Sequence, residues 1–188
     1  MADGRRERKK AATREALSAA ATRLFLERGF DGVTVAEIAD VADTAVSTLF
    51  AHFPGGKEAL VLGDRTEREA ALVAAVRGRD GSVLVALRDF LASRGPFRPG
   101  SDPAYRRLAD LVITTPALRA YARSLWTGCE ASLVAAIAEE TGRDPADLSL
   151  RLLARYVLEI PDLAGVAADP LAALDVAFDH LRRGWPEL

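Results

Sequence analysis

Cysteine, histidine and long apolar runs are scarce in this 188-residue chain, and each shortage removes a class of protein. One cysteine, Cys129, cannot form an internal disulfide, and with only His52 and His180 beside it the chain lacks ligands for a thiolate or imidazole metal site. No apolar run approaches the ~18 residues of a membrane-spanning helix. The segment Met1-Ala2-Asp3-Gly4-Arg5-Arg6 has no apolar stretch of the secretory kind, so a cytoplasmic protein with no membrane partner is expected. Period-two alternation is absent over any length that would make a strand. Neither a Gly-x-Ser-x-Gly turn nor a phosphate-binding glycine loop occurs, and the carboxylates form no pair. No catalytic residue, no metal and no cofactor are therefore expected.

What is there is ordinary globular material. A hydrophobic content of 49% and a charged content of 28% exclude a disordered chain. At 20.1 kDa, folding can bury roughly 70% of the unfolded surface, enough for a core without staples. Length suggests one domain, or a small one joined to a medium one. The 25 basic and 27 acidic side chains leave a formal charge of −2, which hides an uneven distribution.

Helical periodicity dominates. Leu17, Ala20, Ala21, Leu24, Phe25 and Arg28 make one stripe ending at Gly29, which predicts a helix over about 8–28. Thr34 with Glu37 three residues on reads as a capping box opening a short helix over 35–41. A third short helix carries Val46, Leu49, Phe50 and Phe53 and stops at Pro54-Gly55-Gly56. Longer helices are predicted over 57–77 and 82–93, with an irregular loop over 94–100. The pairs Asp102-Pro103, Thr115-Pro116, Asp144-Pro145 and Asp169-Pro170 each place a capping residue before a proline, and so start four more. Of these, the seventh (116–140) and eighth (145–167) are long and amphipathic, and Pro161 should kink the eighth or end it early. The reading is all-α, about nine helices, with a helix-turn-helix unit over 1–57 and a larger helical unit over 58–188.

Charge sharpens the first unit. Residues 5–14 hold Arg5, Arg6, Arg8, Lys9, Lys10 and Arg14 against Glu7 alone, a local +5 suited to neutralising phosphates or entering a minor groove as an arm. Residues 58–188 carry 16 basic and 19 acidic side chains and offer no second nucleic-acid surface.

Three segments carry a resemblance: Thr34-Val35-Ala36-Glu37-Ile38-Ala39, Thr48-Leu49-Phe50-Ala51-His52-Phe53 and Lys57-Glu58-Ala59-Leu60. Together with the preceding helix ending in Gly29-Phe30, they resemble the N-terminal signature of tetracycline-repressor-type (TetR-family) regulators. The match covers roughly residues 11–62. It implies a dimeric regulator, usually a repressor, that binds a palindromic double-stranded DNA operator and is released by a small-molecule effector. On this resemblance Thr34 meets a phosphate, Ala45, Val46, Ser47, Thr48, Phe50 and His52 lie on or beside the recognition helix, and Lys57 contacts the DNA backbone.

The pattern is departed from in places. Asp43 stands where glycine is usual, and it tolerates a left-handed conformation at greater cost. Ala45 stands at the usual Ser or Thr cap, which leaves Thr44 or Asp43 to supply one, and Phe50 replaces a frequent tyrosine. The recognition segment has no Arg, Asn or Gln, the side chains that read guanine or adenine bidentately. Readout then falls to methyl contacts from Val46 and Thr48, hydrogen bonds from Ser47 and His52, and the basic arm.

In the larger unit, the same resemblance puts an effector cavity among helices four to eight, with Phe90, Leu111, Trp126 and Cys129 as candidate walls. The inner faces carry few charges, which favours a largely apolar ligand. Arg106 and Arg107 are either a carboxylate anchor or solvated surface. Helices eight and nine would pair with their symmetry mates, and Leu171, Leu174, Phe178, Leu181 and Trp185 make a stripe available for that homodimer contact. A second reading stays open: a helical ligand-binding or interaction module whose helix-turn-helix has degenerated and binds DNA only non-specifically.

Overall fold

The computed structural model describes residues 2–79, 81–100 and 102–186; the end residues Met1 and Leu188 of the two expected units lie outside that range. Among the described residues all regular structure is helical. Two compact units result, Met1–Asp64 and Arg65–Leu188.

The first unit comprises α1 (Ala2–Arg28), α2 (Val35–Val41), α3 (Val46–His52) and α4 (Gly56–Leu62). Helix α1 buries Leu17, Ala21 and Phe25 at helical spacing and packs on α2 and α4, and Ile38 and Ala39 of α2, Leu49 of α3 and Leu60 of α4 are buried in the same unit. Because α4 packs on α1, the unit extends past the boundary expected at 57. The Thr34 capping box is formed in full: its side chain accepts from the Glu37 amide while the Glu37 carboxylate accepts from the Thr34 amide at 2.8 Å.

The second unit contains α5 (Arg65–Arg77), α6 (Val83–Ala92), a 3-10 turn (Gly95–Phe97), α7 (Pro103–Thr114), α8 (Pro116–Thr127), α9 (Glu130–Thr141), α10 (Leu148–Ala164) and α11 (Pro170–Gly184). Its core is a single cluster in which Leu72, Leu87, Leu133, Leu153 and Leu174 are fully enclosed.

The nine-helix outline holds, with two of its helices each divided by a short break. The fourth divides where Gly63 takes φ +71°, a conformation that ends α4 and that other residues adopt at a cost. The seventh divides at Gly128-Cys129, where Arg65 approaches so closely that a Cβ on Gly128 would lie 2.9 Å from its Cδ. Helix α10 opens at Leu148 rather than 145, because Asp147 supplies the cap to the Ser149 amide while Asp144 closes a separate turn on the Ala146 amide. Nor does Pro161 end α10, which runs on to Ala164. The proline has no amide to give the Val157 carbonyl, yet the turn beyond it is kept, since the Gly165 amide donates to the Pro161 carbonyl at 3.3 Å and Arg119 of α8 grips the Asp162 carboxylate at 2.6 Å and 3.2 Å.

Candidate nucleic-acid interface

Every side chain from Gly4 to Lys10 is exposed, and Ala11 and Ala12 extend that run. These residues are not an extended arm: α1 continues through them to Ala2, since Arg, Lys, Glu and Ala are good helix formers and no proline interrupts them. A helix presents every face over nine residues, so complete exposure means that nothing in the unit covers this segment. Arg5, Arg6, Arg8, Lys9 and Lys10 thus ride on a bare helical extension of the packed unit.

Arg14, counted with that cluster, does something else. Its Nη1 donates to the His52 carbonyl at 2.8 Å, its guanidinium lies 4.4 Å from the Phe53 ring centre, and it pairs with Asp64 at 3.4 Å. It ties α1 to the end of α3. Lys57 is likewise turned inward: Nζ donates to the Phe30 carbonyl at 2.7 Å and sits 4.3 Å over the Phe30 ring. The ammonium expected on a DNA phosphate holds the turn between α1 and α2 together.

That turn leads to the helix-turn-helix. Asp43 adopts φ +49°, the left-handed conformation expected of it. Around it the Thr44 amide reaches the Ala39 carbonyl at 2.9 Å and the Asp43 amide the Asp40 carbonyl at 3.0 Å, which is a Schellman motif closing α2. Neither Thr44 nor Asp43 caps the next helix. Ala45 is itself the N-cap of α3 and contributes no side-chain hydrogen bond.

On α3, Ala45, Val46, Ser47, Phe50 and Ala51 are exposed, whereas Thr48 and His52 are half-buried. Phe50 is 45% exposed and Val46 37%. The pair stands four residues apart on one face of the helix, with Ser47 and Ala51 alongside. His52 points its Nδ1 into a position closed to solvent, where the described residues offer it no hydrogen-bond partner. The exposed strip is therefore more apolar than the sequence alone suggested, and Ser47 is its one hydrogen-bonding side chain. Thr34 is exposed at the start of α2.

A short helix presenting an exposed strip after a tight turn, beside a bare basic helix, is a geometry for groove contact and phosphate neutralisation. Residues 17–63 match the family model described as bacterial regulatory proteins, tetR family, and residues 81–186, more than half of the chain, match the MftR C-terminal domain. The chain belongs to the TetR family of transcriptional regulators.

Among its TetR-family relatives is a Mycobacterium tuberculosis protein named as the mycofactocin biosynthesis transcriptional regulator MftR. The two are 26% identical over 155 residues, covering 81% of this chain and 78% of the relative. Two solved structures share the fold. Salmonella enterica GusR superposes with a TM-score of 0.57 at 22% identity, covering 90% of this chain and 93% of that one. NalD, the secondary repressor of the MexAB-OprM multidrug efflux pump in Pseudomonas aeruginosa, does so with a TM-score of 0.55 at 20% identity, covering 93% and 97%. No described helix is long and apolar enough to cross a membrane.

In the second unit the candidate cavity walls separate. Phe90 and Trp126 are buried with ring centres 6.3 Å apart in an edge-on contact, and Cys129 is enclosed beside them in the core cluster. Burial pushes the Cys129 thiol up, and its Sγ donates to the Leu125 carbonyl, so it is an inert neutral thiol. Leu111 is only half-buried on α7, a helix with no fully buried side chain, and Arg106 and Arg107 are exposed.

The stripe offered for dimer contact is spent inside the chain: Leu174, Phe178 and Leu181 are core residues, with Leu171 and Trp185 packed against them. Trp185 reaches the edge of α10, where its Nε1 donates to Ser149 Oγ and its ring meets Tyr156 edge-on. What α10 leaves uncovered is a different stripe, Leu148 (64% exposed), Leu152, Tyr156 and Leu163 (68%), with Val176 of α11 also exposed. The signal for it was present in the sequence, since α10 carries apolar residues on two faces and only one could face the core.

Proposed function

We propose that this TetR-family regulator is a cytoplasmic, non-catalytic repressor that binds a palindromic operator as a homodimer and is released by a small molecule bound in its second unit. The observation that carries this reading is the joint exposure of the Val46–Phe50 strip of α3 and of the five cations on the front of α1. Val46 and Phe50 make apolar contacts to thymine methyls, Ser47 adds a hydrogen bond, and Arg5, Arg6, Arg8, Lys9 and Lys10 neutralise phosphates. Thr34 adds a backbone contact from the start of α2. Arg14 acts from behind by holding the end of α3 through the His52 carbonyl, and Lys57 by fixing the turn that leads into α2. Dimerisation sets two such surfaces about 34–36 Å apart, or a multiple of it, for two half-sites. The uncovered stripe of α10 supports that pairing, and the repressor named among the structural neighbours supports the sign.

The likeness to MftR makes a biosynthetic gene set of that kind, mycofactocin's included, the first operator to test. Fluorescence anisotropy with a palindromic duplex from the protein's own upstream region, run over a salt series, is the measurement. Specific binding with a steep slope is expected, and removing residues 1–10 flattens the slope by about 0.9 per lost phosphate contact. An unchanged slope after truncation defeats the role given to α1.

A further inference from the structure

The exposed strip of α3 is short of the chemistry that tells one base pair from another. Val46, Ser47, Phe50 and Ala51 occupy two adjacent i, i+4 rows and fall within about 140° of arc, with Leu49 buried on the other side and Thr48 and His52 half-buried. Three of the four are apolar. Ser47 is the strip's one polar side chain, a hydroxyl that both donates and accepts, so it serves a thymine O4 and a cytosine N4 alike. The cations of α1 suit phosphates, which are the same in every sequence. What such a strip can distinguish in a major groove is a methyl group from its absence.

We infer that α3 recognises the C5-methyl groups of pyrimidines, not the bases that carry them, and so accepts 5-methylcytosine in place of thymine. In the major groove these two pyrimidines present the same methyl. They differ in the exchange of O4 for an amino group and of adenine for guanine as the paired base. Telling those apart takes Arg or Lys on guanine, or Asn or Gln on adenine, and the strip has none of them. Val46 and Phe50 supply an apolar surface instead. A methyl that leaves water against such a surface gains about fourfold in affinity, the equivalent of about 0.8 kcal/mol. Unmodified cytosine lacks that contact. Methylation at C5 therefore tightens binding wherever a cytosine stands in a thymine's place, and the ligand class is a duplex carrying C5-methyl pyrimidines of either kind. The inference rests on the reading of α3 as the groove-facing helix and goes past it by naming the group that is read.

The probe is the tightest duplex that the full-length protein selects from a random-sequence pool, remade with one thymine changed at a time and measured by fluorescence anisotropy at fixed salt. Deoxyuridine removes the methyl alone, 5-methylcytosine paired with guanine keeps the methyl and changes the pair, and cytosine changes both. At the positions that α3 meets, deoxyuridine and cytosine are each expected to weaken binding about fourfold, and 5-methylcytosine to stay within about twofold of thymine. Phe50→Ala, a change at an exposed position, keeps the melting temperature and makes thymine and deoxyuridine equivalent at the position its ring covers. A side chain with a merely structural role shows no such coupling to one methyl. Deoxyuridine as tight as thymine at every position, or 5-methylcytosine as weak as cytosine where deoxyuridine weakens binding, overturns the inference while operator binding stands. A pool that yields no sequence bound better than random DNA refutes the groove-facing reading, and the inference falls with it.

Discussion

Asp43 shows how much a single backbone angle can matter. A left-handed conformation costs an L-residue about 1–2 kcal/mol, less for Asp and Asn, and glycine escapes it. At φ +49° Asp43 carries that strain at the turn that aims α3. Asp43→Gly is therefore expected to stabilise the protein by about 0.5–1 kcal/mol in urea denaturation, and Asp43→Val to destabilise it by more. The glycine variant also removes a negative charge near the DNA-facing surface, so its operator affinity should rise and not fall. Asp43 and the Thr34–Glu37 box were legible in the sequence because each acts within a few residues of itself. Arg14 and Lys57 were not. Their partners, the His52 and Phe30 carbonyls, lie 38 and 27 residues away, and no local pattern distinguishes a lysine that points outward from one that folds back. Lys57→Met should accordingly cost about 1–3 kcal/mol of stability, the penalty for stranding a partly buried acceptor, where a lysine that only met phosphates would cost none.

Whole helices follow from caps, and here the two short ones of the turn are unequal. Helix α2 has its full capping box, reinforced by Arg28, whose Nη1 lies 2.7 Å from the Glu37 carboxylate. The Thr34 amide, then the Arg28 guanidinium and the Thr34 hydroxyl hold the Glu37 carboxyl at about 2. A carboxyl whose pKa is depressed on folding stabilises above its unfolded value, near 4.5, and loses that contribution as pH falls towards 2. The melting temperature of the wild type should thus decline between pH 4.5 and 2 more steeply than that of Glu37→Gln, which has no such charge to lose. Helix α3 lacks any side-chain cap at Ala45, and Ala45→Ser should stabilise by about 0.5–2 kcal/mol, provided the new hydroxyl reaches the first-turn amides. The breaks at Gly63 and Gly128 are not legible in the sequence for a related reason. Apolar periodicity continues across both, and the interruption lies in the backbone alone: Gly63 takes φ +71°, and the Cys129 amide turns to the Trp126 carbonyl, three residues back instead of four.

At the scale of the molecule, α10 carries the argument for assembly. Leu150, Leu153, Ala154, Val157 and Leu158 are enclosed by the chain's own core, yet Leu148, Leu152, Tyr156 and Leu163 on the same helix remain exposed. A helix apolar on two faces asks for two neighbours. The chain supplies one, and in the proposed homodimer a second copy supplies the other, across a two-fold axis that sets this stripe against itself. The resemblance assigns the pairing to helices eight and nine; periodicity, which cannot say which face of α10 is which, offers for it only the α11 stripe that the core consumes. The distinction is testable because the two stripes fail differently. Phe178→Ala removes a buried ring and should cost about 3–5 kcal/mol of stability. The double change Leu152→Glu and Tyr156→Glu touches only exposed positions, so it should leave the melting temperature of the isolated chain within a few degrees while converting a sedimenting dimer to a monomer. If two half-sites are bound through one dimer, as proposed, operator affinity should then fall steeply while the weak affinity for a single half-site is preserved. A dimer that survives both glutamates would place the pairing surface elsewhere.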